Sequence, residues 1–153
     1  MIVQDFHIMR YRWRVRVYYA VTTYRTDDIL KNFAEAGCRG IQLKRAYNSL
    51  KRNALDTGIT YSNFMRRKTV MVISLTSSPA EFLNSWEHEK KHLARHIEQA
   101  YGIDPYSEEA AYLEGEIAQK MFPVASKFLC ERCRKSNPVL HRIHIPEAGS
   151  SLH

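Results

Sequence analysis

The stretch Ser77 to Gly102, SSPAEFLNSWEHEKKHLARHIEQAYG, limits the fold more than any other part of the chain. Ser78 is a helix cap, Pro79 suits the first helical position, and Glu81 closes a capping box, so a helix is expected over about 79–100. Phe82, Trp86, Leu93 and Ile97 recur on one side of that helix. A stripe of this kind must be covered by a sheet or a second helix. At 100° per residue, Glu89, His92, His96 and His88 fall in one sector directly beside the stripe. Four polar side chains are therefore expected half-buried at the edge of the core.

The rest of the chain supplies a sheet for the helix to cover. Residues 10–21, RYRWRVRVYYAV, alternate basic and apolar side chains, the period of a strand with one wet face. Arg10, Arg12, Arg14 and Arg16 would line that face, with Tyr11 and Trp13 beneath. Thr26-Asp27-Asp28 opens a helix that Gly37 stops, and a second helix is expected over about 41–54, ended by the turn residues Asp56 and Gly58. ITYSNF (59–64) and TVMVISL (69–75) read as strands around a basic MRRK turn, the second apolar on both faces. The tail PEAGSSLH is expected to be disordered.

At 153 residues and 44% hydrophobic content, the chain is long enough for one sizeable core. A single domain is expected over 1–145, comprising a basic half (1–76) and the two helices of 77–122, followed by the tail 146–153. No stretch approaches membrane-spanning length, and arginines interrupt the amino terminus from Arg10 onward, so a soluble, cytoplasmic protein is expected. Three cysteines are too few and too odd for a disulfide framework. Residues 1–72 hold 14 Lys and Arg against 5 acids, whereas residues 73–153 hold 9 against 11. The first part suits a nucleic acid or an acidic protein as partner, through Arg10, Arg12, Arg14 and Arg16; a basic, solvated surface is the plainer alternative.

His88-Glu89-Lys90-Lys91-His92 is an H-E-x-x-H pattern. Imidazoles at i and i+4 can converge on one ion, while the intervening glutamate is rotated toward a metal-bound water. A third ligand must come from elsewhere, and Glu108 or Glu109 at the start of the next helical stretch, or more remotely Glu114, is available. H-E-x-x-H followed by Glu108-Glu109-Ala110-Ala111, an E-x-x-A pattern, resembles the gluzincin branch of the zincin metallopeptidases. The likeness covers roughly residues 69–121 and extends to compact zincin-like proteins of phages and mobile elements. Arg95 and Glu98 stand where the metzincin pattern has glycine and histidine.

The resemblance implies an α+β zincin-like fold with a small mixed or antiparallel sheet. It implies zinc held by His88, His92 and Glu108, with Glu109 as the alternative ligand and Glu89 as the general base of peptide-bond hydrolysis. Ala111 and Gly115 would let the glutamate helix approach closely. The strand TVMVISL would pair with an extended peptide substrate. Gluzincins commonly place an apolar residue where Lys90 stands, so a more exposed helix is expected there. His96 could orient a ligand and Tyr112 could stabilise an oxyanion, although the plainer roles are a rim histidine and a core or rim aromatic. Cys130, Cys133, His141 and His144 form a separate C-x2-C-x7-H-x2-H set of zinc-type ligands, against the plainer reading of reduced cysteines in a polar tail.

Overall fold

The structure, a computed structural model, describes residues 2–21, 26–51 and 58–135. Strands β1 (Ile2–Ile8), β2 (Trp13–Val21), β3 (Gly58–Asn63) and β4 (Lys68–Ser74) form one mixed sheet in the order β1-β2-β4-β3. The β1/β2 and β3/β4 pairs are antiparallel, and β2/β4 is parallel. Helices α1 (Thr26–Glu35) and α2 (Gly40–Lys51) belong to one face; α3 (Pro79–Tyr101) and α4 (Glu108–Ala125) cover the other; α5 (Glu131–Lys135) follows. This is a mixed α+β architecture. No helix among the described residues is long and apolar enough to cross a membrane.

Side-chain alternation, shifted once in β2 between Tyr18 and Val21 where Ala20 is left-handed at φ 55°, explains the two layers of core. Val15, Val17 and Tyr19 of β2 point toward Trp86, Leu93, Ile97, Leu113 and Ile117, while Tyr18 and Val21 join Ile29, Phe33 and Leu50 on the opposite face. β4 is buried on both sides, Met71 and Ile73 in the first cluster and Val70 and Val72 in the second. Its continuous apolar run is that of an interior strand.

The amino-terminal strand differs from the expected one. IVQDFHI forms β1, the chain reverses through a 3₁₀ turn at Met9–Tyr11, and Arg12 sits left-handed at φ 50° before β2 begins at Trp13. The four-arginine row is therefore broken: Arg10 and Arg12 belong to the turn, and only Arg14 and Arg16 lie on the strand. Arg16 is engaged by Asp5, with N–O distances of 2.7 and 2.8 Å, and by Asn32. The Arg16 guanidinium in turn holds the Asp5 carboxyl below its ordinary range. The alternation that marks β1, with Phe6 and Ile8 buried and Asp5 and His7 exposed, is present in the sequence but short.

Gly37 (φ 102°) follows α1 as expected, and Gly102 (φ 66°) ends α3. The Ser78 side chain accepts from the Glu81 amide at 3.2 Å, while the Glu81 carboxylate accepts from the Ser77 amide and hydroxyl, one residue earlier than in a reciprocal box. The expected end of α2, its turn at Asp56, and the tail 146–153 lie outside the described residues.

Candidate metal and hydrolytic site

α3 lies over β3 and β4 and turns Glu89 and His96 toward β3, the edge strand on that side of the sheet, while His88 and His92, expected half-buried, are exposed. Glu89 is 1% exposed, and its Oε2 accepts from the Thr60 hydroxyl at 2.6 Å. Gly58 makes room for it. A Cβ built on Gly58 would stand 1.9 Å from the Val72 carbonyl oxygen and 3.1 Å from Glu89 Cδ, so the carboxylate lies against bare backbone.

One turn apart, His88 and His92 bring their Nε2 atoms to 3.1 Å. Two imidazoles on a tetrahedral zinc, each at 2.0–2.1 Å, would have their nitrogens about 3.3 Å apart. The observed pair spans nearly that edge. A further turn along, His96 Nδ1 is 2.7 Å from Ser62 Oγ, Ser62 is 2.7 Å from Thr69 Oγ1, and Thr69 accepts from Trp13 Nε1 at 2.7 Å. Indole N–H can only donate. Thr69 Oγ1 therefore accepts from the indole, and Ser62 links it to the His96 ring. Burial, and then His92, push the His96 pKa down.

Lys90 is not the exposed departure expected of it. Its side chain is 12% exposed, its ammonium stands 4.0 Å from the Trp86 ring centroid, and it pairs with Glu87 at 2.8 Å. The aliphatic stem does the covering that an apolar residue would do, and the charge rests on an aromatic face.

The glutamates of α4 are not brought to the histidine pair. Ala110, Leu113, Ile117 and Met121 are buried, and at 100° per residue Glu108 falls opposite their mean direction. Each buried Leu, Ile or Met contributes about 1.5–3 kcal/mol. That stripe, rather than the glutamate, decides which side of α4 meets the core, and Glu108 is exposed. Glu109 accepts from Tyr11 at 2.9 Å and from Arg10 at 3.4 Å. Glu114 faces α3 but is taken by Lys91 at 2.6 Å, with Arg95 at 3.7 Å.

Ala111 and Gly115, expected to ease the approach of two helices, are exposed, and a Cβ on Gly115 would meet nothing within 4 Å. Tyr112 is 70% exposed beside an open groove lined also by Arg10, Gly115 and Glu116. Among the described residues no three His, Cys, Asp or Glu side chains form a group able to hold a metal.

The carboxy-terminal set is split. Cys130 and Cys133 carry free thiols, and Cys130 Sγ accepts from the Cys133 amide at 3.0 Å; His141 and His144 lie outside the described residues. Hydrogen bonding from the Cys133 side chain lowers the Cys130 pKa. If the two thiols are not ligands, changing both to serine leaves zinc content unchanged. It also moves the melting temperature by only about 1–2 °C, as for a surface change within ±0.5 kcal/mol. Elemental analysis and a thermal melt check this; joint loss of zinc and stability would instead mark a structural metal site there.

Sequence patterns identified the helix and its polar sector but not what holds them. Thr60, Ser62 and Thr69 escaped notice, although alternation along ITYSNF puts Thr60 and Ser62 on one side of a strand, and Gly58, expected in a turn, is instead the first residue of β3. Compared with known proteins, the chain matches no family model, no curated protein and no solved structure.

Proposed function

We propose that the chain is a zincin-like, zinc-dependent peptidase whose metal is held on α3. The observation that carries this reading is the facing Nε2 pair of His88 and His92 beside a buried carboxylate oriented by Thr60. Two corners of a zinc tetrahedron fit the residues present; Glu108, the third ligand implied by the resemblance, is exposed on the side of α4 opposite its buried stripe.

A bound zinc would supply Lewis acidity and a water acidified toward neutrality. The chain's own contribution is positional. Glu89 takes a proton from the attacking water and returns it to the leaving amine, and the Thr60 hydroxyl fixes which carboxylate oxygen is offered. The substrate partner is an extended peptide. It pairs with the outer edge of β3, because β4, the strand expected to bind it, is hydrogen-bonded on both sides by β2 and β3. The position of Glu108 favours a second reading, a zincin-like fold that has lost catalysis and acts as a binding module.

Zinc content decides first. Protein prepared without chelator or histidine tag is expected to carry about one zinc per chain, reduced at least tenfold in His92→Ala, because that change removes one of the two imidazoles facing each other on α3. Equal zinc in both proteins would overturn the α3 site. Glu108→Gln, measured beside them, retains zinc if α4 stays as described and loses it if Glu108 closes the ligand set.

A further inference from the structure

One end of the sheet concentrates positive charge. The strand register sets His7 opposite Arg14 and Arg14 opposite Lys68, so three basic side chains form one row across β1, β2 and β4. The row lies in a groove of about 430 Å³ on the α1 side of the sheet, with Asp5, Arg16, Asn32 and Glu35 in its wall. Asp5 is engaged by Arg16, and Glu35 lies 3.9 Å from Lys31. At the rim of the groove two turns meet: the Arg14 amide donates to the Arg67 carbonyl at 2.9 Å. Each turn holds an arginine left-handed, Arg12 at φ 50° and Arg67 at φ 51°. That conformation disfavours every residue with a Cβ, and glycine would adopt it freely.

Strain kept at two adjacent arginines is a reason to look for a role. The same end of the sheet carries flat and apolar groups on its α3 side. Phe64, 38% exposed, packs against Trp13 and His96, Met65 is 96% exposed, and Arg67 stands over the half-open Tyr101 ring at 5.5 Å. An acidic protein would use only the cations. A nucleic acid strand uses both, phosphates on the basic row and bases on the aromatic faces.

We infer that this end of the sheet binds single-stranded nucleic acid, through Arg14 and Lys68 in the groove, Arg12 and Arg67 at the rim, and Phe64 as a stacking face. The intact chain is titrated into fluorescein-labelled dT20 at 50 and 200 mM NaCl and followed by fluorescence polarisation. Four phosphate contacts at about 0.7 each give a log–log salt slope near −3, so binding should weaken about fifty-fold between the two salt concentrations.

Arg12→Gly/Arg67→Gly is the most telling variant, because it removes two charges and two strained side-chain positions together. It should bind dT20 roughly tenfold more weakly at 50 mM salt while melting no lower than the wild type. Arg14→Gln/Lys68→Gln should lose a similar amount, Phe64→Ala about five-fold or more, and the distant Lys44→Gln/Lys127→Gln pair less than two-fold. Absence of dT20 binding at 50 mM, equal losses in the rim and distant pairs, or displacement by polyglutamate as effective per charge as by unlabelled dT20 would each overturn the inference. A duplex of equal length that binds more tightly than dT20 would overturn its single-strand part.

Discussion

Glu89→Gln should cleave a susceptible peptide at least about 100-fold more slowly than the wild type, the lower end of what a positioned general base contributes. The amide has nearly the shape of the carboxylate, and its oxygen can still accept from Thr60, so position is kept while basicity is removed. Zinc content and melting temperature should therefore stay close to wild type, which separates a lost proton acceptor from a collapsed site. The substrate must first be found by screening a peptide or protein library with the wild type. Cleavage of that substrate by Glu89→Gln at the wild-type rate would remove the proposed mechanism and leave the binding-module reading in its place.

The second large effect is expected at a glycine of the edge strand. Gly58→Ala puts a methyl group 1.9 Å from the Val72 carbonyl oxygen, a backbone atom of the interior strand that cannot swing aside. Either β3 peels away from β4 or the sheet distorts, and overpacking of this kind costs about 3 kcal/mol or more. For a chain of this length that is roughly a 6–12 °C fall in melting temperature. Because the same methyl group reaches Glu89 at 3.1 Å, any zinc-dependent activity should fall as well. A thermal melt within 2 °C of wild type, roughly what a surface change produces, would show that Gly58 does not stand against the sheet as described.

The helices and the interior strand were legible because their signals are local. Ser78, Pro79 and Glu81 announce a helix wherever they occur, and the apolar run of β4 needs only to be counted. β1 was passed over because its alternation is brief and the arginines that follow it suggested one long strand; the reversal at Met9–Tyr11 depends on pairing with β2, which no short window of sequence contains. The direction of Glu108 has a different origin. The same wheel that set Glu89 beside the buried stripe of α3 sets Glu108 opposite the stripe of α4, so its direction was available from Leu113, Ile117 and Met121. The E-x-x-A spacing carried the expectation, and spacing along a helix does not say which way the helix faces. Thr60 and Ser62 were harder, because a short polar side chain on an edge strand gains meaning only when Glu89 and His96 are known to lie across from it.

The parallel pairing of β2 with β4 has a consequence for how the molecule is assembled. Antiparallel neighbours can close through a tight turn, but Arg14 cannot meet Lys68 until the chain has passed through α1, α2 and β3. Loop closure over such a separation is entropically costly before any contact rewards it, and it slows folding. During synthesis the amino-terminal hairpin has no central partner until residues 68–74 emerge. α3 is made later still and has no finished surface to cover before then. The helix carrying His88, Glu89 and His92 thus docks after the sheet, and the buried position of Glu89 is created only when the sheet beneath it is complete.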